Sequence, residues 1–261
     1  MGATKISWAD EVWNPVWGCN ANCSYCYAKN IAKRFAKIIA EKNLEYGTEI
    51  EALQTEKDLR DFKPTLLINA MNKNFSKSAK HIFVGSMSDI AFWKKEWIYK
   101  TIEKIKQYPQ HHFMLLTKFP HIYRELDLLM PENVYFGITV TQQTELNKLD
   151  VFFDMKFGRI KYVSFEPLLS EITDAVYYPK GKKYHKFQKR NTYFEIIDWV
   201  IIGTMSGNNR KAAKIDWISK IVATAYEKIK PVFVKQIEIN GKVEHDYTKF
   251  PRHLQLQEYP E

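Results

Sequence analysis

The sequence has no long apolar run and few cysteines, and each shortage excludes a class of protein. No segment approaches the roughly 20 uninterrupted apolar residues that cross a bilayer, and the amino terminus lacks the basic-then-apolar layout of a signal peptide. The three cysteines fall within eight residues, and an odd, crowded set makes a poor disulfide framework. We therefore expect a cytoplasmic protein without a membrane partner, whose cysteines bind metal.

Acidic residues are also in the minority, which favours a polyanionic partner. Asp and Glu number 30 against 39 Lys and Arg, so the net charge is +9. The most biased stretch, Tyr177–Arg190, contains six basic residues, several aromatic residues and no acid. Because basic side chains neutralise phosphates and aromatic rings stack on bases, this inserted surface loop predicts contact with nucleic acid. A lysine-rich surface that serves only solubility is the alternative.

Short apolar segments alternate with stretches long enough for a helix. The segments are Ile82–Val84, Phe113–Leu116, Val134–Val140, Ile160–Phe165, Trp199–Ile202 and Pro231–Val234. Helical periodicity marks Trp97–Gln107 and a run that begins at Asp216. The alternation predicts the α/β class, as a partial or closed parallel β/α barrel in a single domain over residues 1–261. A doubly wound open sheet is the alternative.

The cysteines form the pattern C-x3-C-x2-C. Cys19, Cys23 and Cys26 follow a Trp-rich extended segment and precede a helical pattern that begins at Ala28. Three protein thiolates leave one iron of a four-iron cubane cluster open to a small ligand. A closed zinc site would need a fourth ligand, such as a distant histidine, and nothing in the spacing selects one. The pattern therefore predicts an iron–sulfur cluster, with zinc as the alternative.

The cysteine spacing, with Tyr25 directly before the third cysteine, resembles the C-x3-C-x-aromatic-C signature of radical S-adenosylmethionine (radical SAM) enzymes. The resemblance implies a [4Fe-4S] cluster whose open iron binds S-adenosyl-L-methionine (SAM). It also implies reductive cleavage of SAM to a 5′-deoxyadenosyl radical, which requires an electron donor. Tyr25 is expected to pack near the adenine.

A second resemblance extends over nearly the whole chain. The segments Trp13–Pro15, Phe83–Asp89, Leu115–Lys118, Phe136–Val140, Val163–Leu169, Asp198–Gly203, Ser206–Gly207 and Val232–Gln236 are similar to the phage Gp37/Gp68 family of radical-SAM-like proteins. That family commonly has a Glu where this chain has Met205. The resemblance also implies a separate three-Cys-motif partner protein.

Polar residues follow several predicted strands, where a β/α barrel gathers its chemistry. The expected catalytic residues are Lys118, Glu166 and Lys235. The segment that follows Ile82–Val84 is the expected binding site for the methionine amino group of SAM; its residues are Gly85, Ser86, Met87, Ser88 and Asp89. Further cofactor contacts are expected from Ser206 and Gly207. Each residue also has a structural alternative, such as helix capping by Asp89.

The functional prediction is a radical SAM-type enzyme that acts on a nucleic acid or nucleotide. Base modification and repair, including a photoproduct-lyase-like repair reaction, are its concrete forms. Two alternatives stay open. One is a non-catalytic metal-binding or partner-binding barrel, favoured by Met205, and the other is a radical SAM enzyme for a small molecule.

Overall fold

The computed structural model describes residues 6–44, 48–155, 159–177, 191–207 and 210–261. The chain forms two compact units. The first comprises Met1–Thr117 and Leu129–Tyr135, and the second comprises Lys118–Leu128 and Phe136–Glu261.

The first unit is built on parallel strands. Its strands are β1 (Glu11–Trp13), β2 (Val16–Trp17), β3 (Thr65–Leu66), β4 (His81–Val84) and β5 (His112–Thr117). β4 pairs in parallel with both β1 and β5, whereas β2 and β3 form a separate antiparallel pair. Trp13 ends β1 fully buried, edge-on to Phe75 at 5.3 Å between ring centroids. The cysteine loop therefore starts from a strand that is anchored in the core.

The helices of the first unit are α1 (Tyr27–Asn43), α2 (Glu49–Arg60), α3 (Ile68–Met71) and α4 (Lys95–Lys106). α1 turns a ridge of alanines inward, namely Ala28, Ala32, Ala36 and Ala40. Small side chains at this spacing share one helix face and let a neighbouring helix approach closely, and α1 packs against α2. α2 starts with a capping box between Thr48 and Glu51.

The second unit is also built on parallel strands. Its elements are α5 (Tyr123–Leu126), β6 (Val134–Thr139, which belongs to this unit from Phe136 onward), β7 (Lys161–Phe165), β8 (Trp199–Gly203), α6 (Ile215–Glu227), β9 (Val232–Ile239) and β10 (Lys242–Glu244). β6, β7, β8 and β9 pair in parallel in that order, and β10 returns antiparallel to β9. Every residue of β8 is buried, as expected for a strand covered on both faces.

The predicted α/β class with parallel strands is confirmed. Within each unit the parallel strands follow chain order, as in a partial β/α barrel. The helices α4 and α6 lie where the periodicity predicts them. One strand end is wrong: β9 continues to Ile239, so Lys235 and Gln236 lie inside the strand and not after it.

Two further predictions bear on the surface of the protein. Within the described ranges, no helix is both long enough and apolar enough to span a membrane. Of the predicted basic loop Tyr177–Arg190, positions 178–190 lie outside the described residues. The loop stays a prediction, as does the single-domain organisation.

Candidate functional site

Two backbone hydrogen bonds fix the start of the cysteine loop in the first unit. The Gly18 amide donates to the Met87 carbonyl at 3.1 Å, and the Cys19 amide donates to the Phe62 carbonyl at 2.9 Å. Gly18 has φ +89°, and a Cβ there would lie 2.0 Å from the Lys63 carbonyl oxygen. Only glycine tolerates this backbone conformation and this close approach. The position of Cys19 therefore depends on Gly18.

The three predicted metal ligands lie on one short turn. The Ala21 amide donates to the Cys19 Sγ at 3.4 Å, and the Cys26 amide donates to the Cys23 carbonyl at 3.1 Å. α1 begins at the next residue. All three thiols are free and half-buried. The loop thus presents three unpaired sulfur atoms directly before a helix amino terminus.

Burial is the main influence on the Cys19 thiol. The pKa of Cys19 is raised to about 11, chiefly by burial; the Ala21 amide acts to lower it, and charge on Asp89, Cys23 and Cys26 adds to the rise. Cys19 and Cys26 pack against a buried cluster that includes Met87. Without metal, Cys19 is therefore a neutral thiol at physiological pH, and metal binding must displace its proton.

The donor set suits iron or zinc, because free thiols with an N–H···S hydrogen bond are the ligands that both metals take in proteins. Across the part of the chain that the structure describes, however, no three His, Cys, Asp or Glu side chains are arranged as a metal-binding group. The chemistry of the three thiols nevertheless fits a cluster, in which each thiolate binds a different iron.

The segment Gly85–Asp89 lies beside the cysteine loop in the first unit. Asn14 holds it from one side: the Asn14 Oδ1 accepts from the Ser86 hydroxyl at 3.1 Å and from the Met87 amide at 3.3 Å. On the other side, the Ser88 hydroxyl donates to the Val16 carbonyl at 2.9 Å. The predicted SAM-binding segment is thus bound to the residues that lead into the cysteines. Sequence reasoning missed the role of Asn14.

Asp89 is buried and has two defined hydrogen-bond donors. The Thr117 hydroxyl donates to its Oδ1 at 2.6 Å, and the Ala91 amide donates to the same oxygen at 3.1 Å. The capping alternative for Asp89 is therefore present, since it caps the 3-10 turn Ile90–Phe92.

Two tyrosines border the third cysteine. Tyr25, predicted to pack near adenine, is half-buried. Tyr27 is 54% exposed, yet its hydroxyl donates to the Ser86 carbonyl at 2.7 Å. Sequence reasoning missed Tyr27, although its position one residue after Cys26 is a signal for it.

In the second unit, Glu166 and Lys235 form an ion pair with 2.5 Å between Oε1 and Nζ, and each side chain is only 18% exposed. The Gln236 amide nitrogen donates to the Thr204 carbonyl at 2.6 Å and lies 3.5 Å from the same Glu166 oxygen. Glu166 packs over Gly203, where a Cβ would lie 3.1 Å from the carboxylate carbon.

A β-bulge explains how Lys235 reaches Glu166 from inside β9. Ile202 of β8 pairs with Val234, whereas the next residue, Gly203, pairs with Gln236. Lys235 is the extra residue, and a bulge redirects a side chain that regular pairing would turn to the other face. The predicted Lys–Glu pair is therefore present, but it depends on a β-bulge that the apolar strand pattern does not predict.

The remaining predicted residues have less defined surroundings. Lys118 is half-buried directly after β5. Ser206 and Gly207 are exposed, and Met205 is half-buried. Convergence of these residues with the cysteine loop stays a prediction.

The fold and the thiol loop thus define an α/β protein with a three-cysteine motif. A family profile described as "Protein of unknown function (DUF5131)" matches residues 3–258, so the chain belongs to that family. The phage Gp37/Gp68 name stays a prediction. No curated protein matches the chain.

Two solved structures of spore photoproduct lyase are similar to the chain. One is a cysteine-to-alanine mutant with dinucleoside spore photoproduct, at 14% identity and a TM-score of 0.44. The other is a double mutant with bound AdoMet and dinucleoside spore photoproduct, at 13% identity and a TM-score of 0.43. Each match covers 93% of this chain and 69% of the other.

Proposed function

We propose that this protein is a radical SAM-type enzyme in which Cys19, Cys23 and Cys26 bind a [4Fe-4S] cluster. The observation that carries the proposal is the C-x3-C-x2-C loop, whose three thiols form no disulfide. Its start is held by hydrogen bonds from the Gly18 amide to the Met87 carbonyl and from the Cys19 amide to the Phe62 carbonyl. When bound, such a cluster supplies the electron that cleaves SAM to a 5′-deoxyadenosyl radical.

The segment Gly85–Asp89 is the proposed binding site for the methionine end of SAM. Asp89 is held in place by Thr117, and a buried carboxylate is a group of the kind that accepts from a substrate ammonium. Ser86 and Ser88 direct their hydroxyls to Asn14 and Val16, so these serines hold the segment in shape. Tyr25 and the exposed pair Ser206 and Gly207 stay proposed cofactor contacts.

Glu166 and Lys235 are the proposed positioning pair of the second unit, with Lys118 as a further candidate. A half-buried ammonium already paired with a carboxylate is oriented before a ligand arrives. Lys235 can donate to an anionic group of a substrate, while Glu166 fixes its direction. The electron donor and the three-Cys-motif partner protein are proposed partners.

Nucleic acid or a nucleotide is the proposed substrate class. The net charge of +9 and the basic stretch Tyr177–Arg190 support it. Replacing Lys182, Lys183 and Lys186 with Gln should reduce the slope of log affinity against log salt by about three phosphate contacts. Tyr184→Ala should weaken single strands more than duplex. Equal binding by the triple Gln variant across the salt series would favour the small-molecule enzyme.

A non-catalytic metal-binding or partner-binding module is the second candidate. The replacement by Met205 of the Glu that the Gp37/Gp68 family commonly carries favours it.

Anaerobic reconstitution with iron and sulfide, followed by dithionite and SAM, separates the two candidates. The proposed enzyme releases methionine and 5′-deoxyadenosine. Cys23→Ala should abolish this release, whereas Ser24→Ala, a change at an exposed neighbour, should retain it. Failure of the reconstituted wild-type protein to cleave SAM would favour the non-catalytic module.

A further inference from the structure

α1 exposes large apolar side chains on its outer surface. Tyr27, Ile31, Phe35 and Ile38 are 54%, 36%, 37% and 50% exposed. Their spacing places them along one side of the helix, and we call them the α1 stripe. A surface helix normally turns its largest apolar residues to the core, but here alanines occupy that side. Contiguous exposed apolar side chains on a protein mark an interaction surface.

Basic side chains accompany the α1 stripe. Lys29, Lys33, Arg34 and Lys37 are exposed, and Glu41 is the single acidic residue of the helix. The Arg34 guanidinium lies over the Phe35 ring, 5.3 Å from its centroid, so charge and apolar surface are joined at the middle of the stripe. An apolar centre with basic surroundings is complementary to an acidic protein surface with an apolar centre.

The α1 stripe starts at the cysteine loop. Tyr27 directly follows Cys26 and is bound to Ser86 through its hydroxyl. A partner on this helix is therefore seated next to the thiols. Nucleic acid is a poorer fit, because phosphates need no apolar stripe.

We infer that the α1 stripe and its basic neighbours are the docking surface for an acidic protein that carries a one-electron redox group. The inference rests on the proposed function, because a cluster at Cys19, Cys23 and Cys26 needs electrons from outside the chain. Redox partners form small, weak interfaces in which charge steers the encounter. One helix face of this composition is sufficient for such a contact.

Direct binding tests the inference without catalysis. The probe is flavodoxin, a small acidic protein with bound FMN, titrated against the 261-residue chain over a salt series. Lys33→Glu with Arg34→Glu should raise the Kd by about tenfold or more at low salt. Phe35→Ser with Ile38→Ser should raise it to a similar extent and leave its salt dependence in place. The matched control is Lys95→Glu with Lys100→Glu on α4, which should change the Kd by no more than about twofold.

SAM cleavage by the reconstituted protein supplies the second readout. With reduced flavodoxin, both α1 double variants should be slower by about tenfold, while with dithionite they should match the wild type. If the wild type cleaves no SAM even with dithionite, the proposed function fails, and the docking surface is judged on the Kd values alone.

Two results would overturn the docking surface. One is flavodoxin affinity that is equal in the wild type and both α1 variants. The other is loss of self-association or of binding to anionic vesicles in the α1 variants, with flavodoxin affinity retained, which would assign the stripe to a second copy or to a membrane.

Discussion

Replacing Gly18 with Ala should detach the cysteine loop from the first unit. The positive φ of +89° alone costs an alanine about 1–2 kcal/mol. The new Cβ would also lie 2.0 Å from the Lys63 carbonyl oxygen, which is backbone and cannot swing away. Moving the loop breaks the bonds to Met87 and Phe62, at about 0.5–1.5 kcal/mol each. The total is about 2–5 kcal/mol.

Urea unfolding and iron content after reconstitution are the two assays. The matched control is Gly241→Ala, because Gly241 also has a positive φ, +75°, but nothing lies within 4 Å of its added Cβ. The control should lose about 1–2 kcal/mol and bind iron normally. A Gly18→Ala protein that is as stable as the control and binds as much iron would refute the argument that these contacts position Cys19.

Two further predictions concern the second unit and the histidines. Lys235→Met should lower the free energy of unfolding by about 1–3 kcal/mol, because Glu166 is left partly buried without its partner, and adding Glu166→Met should restore part of the loss. His81 and His112 stack at 5.2 Å, and burial lowers the pKa of both below 6.5. The unfolded chain therefore binds protons more readily, so urea midpoints should fall as pH drops below about 6.5. His81→Gln with His112→Gln should flatten this pH dependence, and the exposed control His245→Gln should not; equal slopes in all three proteins would contradict the assignment.

The fold class and the thiol loop were predictable because both have local signals. Alternating apolar segments predict parallel strands, and the cysteine spacing is read directly from the chain. The helix after Cys26 was also predictable, but its buried side was not. Ile31, Phe35 and Ile38 share an apolar arc with Ala28 and Ala32, and periodicity cannot show which part of a wide arc faces the core. The structure buries the alanines and exposes the larger side chains.

Contacts between distant segments were not predictable. Asn14 bonds to Ser86, 72 residues along the chain, and Thr117 bonds to Asp89, 28 residues back. No single-sequence pattern encodes such pairs. Lys235 was expected after its strand because the apolar run ends at Val234, and the bulge that admits it into β9 has no sequence signal.

Metal analysis of the anaerobically purified and reconstituted protein tests the central claim most directly. We predict brown protein with about four irons per chain, and loss of that iron when Cys19, Cys23 or Cys26 is replaced by Ala. Colourless protein that holds one tightly bound zinc per chain and takes up no iron would contradict the account.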